Sequence, residues 1–261
     1  MKKKCGQEVV FRKRPYYNEE NGIVLTGFFV ENNSKGDNMA ELRVYFFRHG
    51  LTYGNVEARM CGRTDTLVCR QGWEDLYKLK ETYAYPEVER VYVSPAIRCR
   101  ETASVLFPGM TPKICENFWE MDFGTWENMP VDCTQNEGFE KWLNQDPDCG
   151  FPEGESILEC RFRAMAAMTR VIKECREEGI KKVAVVAHGE VLGCLMAMAL
   201  VTEEPESAFT LTPNGMGYEV IVDMDDWFLK EQKFHFVKFL PEGAKRPKAE
   251  DSPFFSKNEE D

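Results

Sequence analysis

Only three histidines occur in this chain, and two of them share one local setting. The apolar run Leu42–Phe47 leads through Arg48 into His49-Gly50, and the apolar run Lys182–Ala187 leads into His188-Gly189. Either histidine alone reads as a satisfied polar group at a strand end. The pair predicts two imidazoles on one rim of one sheet, the place where open α/β sheets bind ligands. The rim gains Arg48 and the segment Ser94-Pro95-Ala96-Ile97-Arg98. Ser94 reads as an N-cap and Pro95 as a first helical residue, which puts Arg98 in the first turn with the helix N-terminus behind it. Guanidinium, imidazole and helix dipole together suit an anion. Of Arg98 and Arg100, one is expected to be an ordinary surface arginine. His235, inside a late strand, reads as structural.

The elements that must place these groups alternate. Strands are expected over Leu42–Phe47, Arg90–Val93, Lys182–Ala187, Tyr218–Met224 and Phe234–Leu240. Helices are expected over Gly72–Tyr83 (apolar Trp73, Leu76, Tyr77, Leu79), Ala96–Leu106, Ser156–Glu178 and Gly189–Val201. The long helix shows Ile157, Phe162, Met165, Met168, Val171 and Ile172 as its apolar face. Lys182–Ala187 has no polar alternation, the mark of a strand buried on both faces. The pattern predicts α/β architecture: a three-layer α/β/α sandwich around a mostly parallel, mixed sheet.

Length and charge set the outer limits. The 261 residues carry 33 basic and 44 acidic side chains, a net charge of −11. That balance argues against a protein devoted to nucleic acid or an anionic membrane. The charge belongs to residues 39–240, since residues 1–38 hold 7 basic and 5 acidic groups and residues 241–261 hold 4 and 6. Residues 241–261 read as a disordered tail. Residues 1–38 read as an extension, and two origins stand side by side. Lys35-Gly36-Asp37-Asn38 can be encoded as AAA GGA GAT AAC, a bacterial ribosome-binding sequence ahead of Met39, which makes residues 1–38 a translated leader. The alternative is a real, weakly structured extension. The ten cysteines are scattered without a CxxC pair, which points to reduced thiols and a cytoplasmic location and away from a zinc site. No apolar run is long enough to span a membrane.

Six blocks in order carry a family resemblance. Arg48-His49-Gly50-Leu51-Thr52-Tyr53-Gly54-Asn55 resembles the RHGxTxxN signature of the histidine phosphatase (phosphoglycerate mutase-like) superfamily. Gly62 to Leu67 with Gly72, Ser94-Pro95 with Arg98 and Glu101-Thr102, Glu120 to Glu127, Gly154-Glu155-Ser156, and His188-Gly189 match its later blocks. The resemblance spans about residues 42–225.

The resemblance implies a phosphoglycerate mutase-like fold and a phosphomonoester chemistry. His49 would attack phosphorus and form a phosphohistidine. Arg48, Arg98 and His188 would stabilise the transferring group's charge, with Asn55, Thr52 and the backbone at Gly50 and Gly189 adding substrate contacts. Glu120 would protonate the leaving oxygen and then activate water, for which it needs a raised pKa; Asp122 is the rival acid. No metal or organic cofactor is implied. The expected partner is a small phosphorylated metabolite, with no nucleic acid and no membrane, on a monomer or homodimer.

Within the family, Asp122 to Glu127, Phe139 to Leu143 and Gly150 to Ser156 look most like the alpha-ribazole phosphatase and small broad-specificity phosphatase branch. Sixty-eight residues separate Glu120 from His188, a small insert that favours hydrolysis over mutase chemistry. Trp126, Phe139, Trp142 and Phe151 are candidates either for an apolar lid over the leaving group or for ordinary core. A phosphoglycerate mutase-type phosphotransferase is the first alternative. The second is an inactive scaffold that binds phosphorylated ligands, against which the intact set Arg48, His49, Arg98, Glu120 and His188 speaks.

Overall fold

The computed structural model describes residues 9–18, 23–32, 41–131, 141–142, 146, 149–203 and 212–245, the first two segments by backbone alone. Residues 1–39 and 40–261 are separate units. In the first, β1 (Val9–Asn18) and β2 (Ile23–Asn32) pair antiparallel, which the sequence reading did not anticipate. The signal lay in Asn21-Gly22, a hairpin-turn dipeptide between two runs rich in aromatic and β-branched residues. Met39, and the tail beyond Lys245, lie outside the described residues.

The second unit is built on seven strands: β3 (Glu41–Arg48), β4 (Arg90–Val93), β5 (Lys113–Ile114), β6 (Lys182–Ala187), β7 (Leu200–Val201), β8 (Gly217–Asp223) and β9 (Phe234–Leu240). Their order is β5-β4-β6-β3-β8-β9-β7. β3, β4, β5 and β6 run parallel, β8 is antiparallel to both β3 and β9, and β7 pairs parallel with β9. The sheet is therefore mixed, and its parallel half brings the ends of β3, β4 and β6 to one rim.

Alternation along the strands divides the core into two layers. Leu42, Val44 and Phe46 of β3 join Val183, Val185 and Ala187 of β6 on one face. That face is covered by the helices α4 (Ile157–Glu178), α5 (Gly189–Ala199) and α6 (Met224–Leu229). Tyr45 and Phe47 join Ala184 and Val186 on the other face, under α2 (Arg70–Thr82) and α3 (Ile97–Leu106). The three-layer α/β/α expectation matches this arrangement. Phe46 anchors the first layer against Tyr218 at 5.7 Å and Phe234 at 5.6 Å between ring centroids. Truncating it to alanine costs about 3–5 kcal/mol.

Four local expectations are corrected. Phe162 is 59% exposed, because it stands five residues from Ile157 while the buried face of α4 keeps to 157, 160, 164, 165, 167, 168, 171, 172 and 175. Tyr77 is likewise exposed and stacks on Trp73 at the surface. α5 stops at Ala199, where Leu200–Val201 peels off as an edge strand. Ser94 does not cap α3, whose N-cap residue is Ala96 with no side-chain bond of its own. The cap comes from another loop: Asp65 Oδ1 accepts from Ile97 N at 2.9 Å. α4 starts as the sequence suggests, with Ser156 and Glu159 exchanging side-chain to backbone bonds in a capping box.

Candidate active site

β3 delivers Arg48 and then His49 to the rim, and β6 delivers His188 beside it. Register makes this a consequence of pairing, since Arg48 lies opposite Ala187 and His49 N donates to the Ala187 carbonyl at 3.0 Å. The two imidazoles meet edge to face with centroids 5.3 Å apart.

His49 is buried, and its Nδ1 lies 2.8 Å from the Gly50 carbonyl. A carbonyl only accepts, so Nδ1 carries the hydrogen and Nε2 keeps a lone pair. Burial pushes its pKa well below the ordinary histidine value, and the charges of Arg98 and Arg48 push the same way. The result is a neutral imidazole with a defined nucleophilic nitrogen. The backbone around it is fixed as well. Gly50 N donates to Thr102 Oγ1 at 2.8 Å, and Asn214 Nδ2 donates to the His49 carbonyl at 2.9 Å. A Cβ on Gly50 would sit 2.6 Å from a Leu76 methyl, so a larger residue there would have to displace that side chain.

Arg98 is 1% exposed and forms the hub of the site. Its Nη1 donates to the Thr64 carbonyl at 3.0 Å and its Nη2 to those of Gly62 and Cys61 at 2.8 and 3.3 Å. Its Nε donates to His188 Nδ1 at 3.2 Å. Arg100 is exposed, so it is the surface arginine of the two. Arg48 donates from Nη1 to the Thr212 carbonyl at 2.9 Å, while its buried Nε has no protein partner. A donor left so is costly unless a ligand meets it. Gly189 lies beside this guanidinium, where an added Cβ would stand at ordinary contact distance, 3.6 Å from Arg48 Cζ.

Glu120 lies 6% exposed, with its carboxyl against the first turn of α5. Oε2 accepts from Glu190 N at 3.4 Å, and Oε1 from Val191 N and Met121 N at 3.3 and 2.9 Å. Burial raises its pKa above the usual carboxylate value, and the backbone bonds and the two arginines only partly oppose that. Asp122 is placed differently: it is partly exposed, and its Oδ1 closes a turn on Gly124 N at 2.9 Å. The geometry therefore separates two carboxylates that spacing alone left level.

The remaining predicted contacts divide. Asn55 Oδ1 turns inward to Thr52 N at 3.2 Å and Asn214 Nδ2 at 3.5 Å, which turns its amide donor the other way. Thr52 is buried and its hydroxyl accepts from Asn55 N, so it caps α1 (Tyr53–Val56). Gly50 N is committed to Thr102. Of the lid candidates, Trp142 and Phe151 are buried core, and Trp126 packs edge to face on Phe151 at 5.1 Å, as does Phe123 of the acid segment at 5.0 Å. These rings fill the layer beneath the acid segment. Phe139 lies outside the described residues.

Several supports were not anticipated. Arg163 of α4 clamps the acid segment, donating to the carbonyls of Asn117, Trp119 and Glu120 at 2.9, 2.7 and 3.1 Å while paired with Glu155. Glu127 ties the Gly62–Thr64 loop to that segment by accepting from Arg63 N, Thr64 N, Thr64 Oγ1 and Phe123 N. Glu127, Asp65 and Thr102 stood within the family blocks, yet their partners are set by the fold. Arg163 left no signal, being one charge on an amphipathic helix. Among the described residues, no cluster of three His, Cys, Asp or Glu side chains could hold a metal, the cysteines are free thiols, and no helix could cross a membrane.

Comparison with known proteins finds a matching family and several similar chains. Residues 44–233 match the family model described as histidine phosphatase superfamily (branch 1). The protein named "Probable phosphoglycerate mutase GpmB" of Enterobacter sp. (strain 638) is 30% identical over 164 residues, which is 61% of this chain and 75% of that one. The solved phosphoglycerate mutase from Thermus thermophilus is 25% identical with a TM-score of 0.54, covering 74% of this chain and 96% of its own. A mycobacterial glucosyl-3-phosphoglycerate phosphatase reaches a TM-score of 0.61 over 75% of this chain and 97% of its own. At 20% identity its likeness is one of fold.

Proposed function

The chain belongs to the histidine phosphatase superfamily, and from that membership we propose that it hydrolyses a small phosphomonoester through a phosphohistidine on His49. One observation carries the reading. The Nδ1–H of His49 is bound to the Gly50 carbonyl, leaving a neutral Nε2 among two arginines and a second imidazole. A neutral imidazole keeps the lone pair that protonation would take away, and the cations around it meet the charge that grows on the phosphoryl oxygens.

The steps follow from the placement. The phosphoryl group enters beside the unpartnered Arg48 Nε. His49 Nε2 forms the N–P bond as the ester P–O bond breaks, and Glu120 gives its proton to the departing oxygen. Glu120, now ionised, takes a proton from water as that water attacks phosphorus and the N–P bond breaks. Phosphate leaves, and His49 and Glu120 are back in their starting states.

Hydrolysis is favoured over transfer by the short interval between Glu120 and His188, which leaves room for water to reach the phosphoenzyme. The name of the Enterobacter relative favours the second reading, a mutase. Incubation with 3-phosphoglycerate separates them: inorganic phosphate supports the hydrolase, and 2-phosphoglycerate without net phosphate release supports the mutase. A screen of small phosphate esters, alpha-ribazole phosphate among them, then identifies the substrate by kcat/KM.

A further inference from the structure

We propose that Ser94 is a positioning residue that holds the proton of His188 on Nε2 and so keeps the ring's Nδ1 as the acceptor of Arg98 Nε, which steadies that guanidinium at the site. The inference rests on the phosphatase reading for its kinetic consequence and on geometry alone for the proton. Ser94 directly follows β4 and is fully buried, as is His188. The register that puts Val93 opposite Val186 carries Ser94 alongside the end of β6. Its Oγ lies 2.7 Å from His188 Nε2 and also accepts from Ala96 N at 3.3 Å. On the opposite side of the ring, Arg98 Nε lies 3.2 Å from Nδ1.

These two partners select one tautomer. Arginine only donates, so Nδ1 must accept and Nε2 must carry the hydrogen, which then points at Ser94 Oγ. The other tautomer would set an N–H against the Arg98 N–H. Arg98 selects that tautomer only while the ring keeps this orientation, and without a second partner the ring could swing about its Cβ–Cγ bond. The remaining neighbour is Cys99, whose Sγ is 3.5 Å from Nε2 and a poor acceptor. Ser94 supplies the strong acceptor that stops that swing. Its sequence role as a helix cap, by contrast, is filled by Asp65.

The experiment reads the imidazole and the rate together. In ¹⁵N spectra of the wild-type protein, His188 is expected as the Nε2–H tautomer between about pH 6 and 8. Ser94→Ala is expected to blur that signature and to lower kcat about tenfold, with KM changed less than about twofold. Ser94→Thr, which keeps the hydroxyl, is expected to restore both. An Nδ1–H tautomer in the wild type overturns the proposal, and this needs no variant to fold. So does a folded Ser94→Ala protein with wild-type tautomer and kcat. Absence of any phosphatase turnover in the wild type overturns the hydrolase reading and leaves the tautomer as the test of the proton.

Discussion

His49 and His188, 139 residues apart in the sequence, meet edge to face with ring centroids 5.3 Å apart. Parallel pairing of β3 with β6 produces that meeting, and burial together with two surrounding arginines keeps both rings neutral. Burial is the larger cause for each, with Arg98 next. The two rings nevertheless have different tasks, because only His49 keeps an uncommitted nitrogen. His49→Ala should lower kcat by about 10⁴-fold or more, as for loss of a nucleophile elsewhere. His188→Ala should cost less, since phosphoryl contacts from Arg48 and Arg98 persist. Steady-state kinetics on p-nitrophenyl phosphate checks the order.

The pH dependence follows from the same burial. His49 must be unprotonated, and its depressed pKa keeps it so well into the acid range. Glu120 must be protonated, and its raised pKa keeps it so above the usual carboxylate range. Activity on an alkyl phosphate should therefore hold at acid pH and fall as pH rises through the Glu120 ionisation. Glu120→Gln should lower kcat by about 10²–10⁴-fold and remove that alkaline fall. A profile of kcat against pH for both proteins is the measurement.

Arg163 and Glu155 form a largely buried pair, with side chains 17% and 11% exposed. Burial works against its charge, yet the hydrogen bond and charge of Glu155, with Cys160 and Glu120 beside it, raise the Arg163 pKa above the usual arginine value. Arg163→Met leaves Glu155 buried without its partner and frees the Asn117–Glu120 carbonyls. The expected loss is about 3–5 kcal/mol, read by urea denaturation. Arg163→Met with Glu155→Gln should recover part of it.

Gly62 has no room for a side chain, since an added Cβ would lie 1.9 Å from the Met121 carbonyl. Gly62→Ala must push the loop off the acid segment that Glu127 ties it to. It should destabilise by about 1–3 kcal/mol and raise KM as the Arg98 carbonyl contacts shift. Melting temperature and KM measured on one preparation test both halves.

Much of this site could be read from the chain because its parts sit at strand ends. Arg48-His49-Gly50 and His188-Gly189 each follow an apolar strand, so periodicity alone put them on one rim. Glu120 was harder: spacing could not tell it from Asp122, and only the buried turn against α5 separates them. The supports were least visible. Ser94 carried a helix-cap pattern yet faces His188, because Asp65 from a distant loop caps α3 instead. Phe162 followed helical spacing loosely and proved exposed. Such outcomes depend on long-range packing, which local sequence does not encode.

The central claim is a covalent phosphohistidine at His49. Brief reaction with a ³²P-labelled phosphomonoester, quenched in alkaline denaturant, tests it most directly. The account predicts acid-labile, alkali-stable label on the peptide that contains His49, and none on His49→Ala. Turnover with no trapped label, or equal label on His49→Ala, would contradict it.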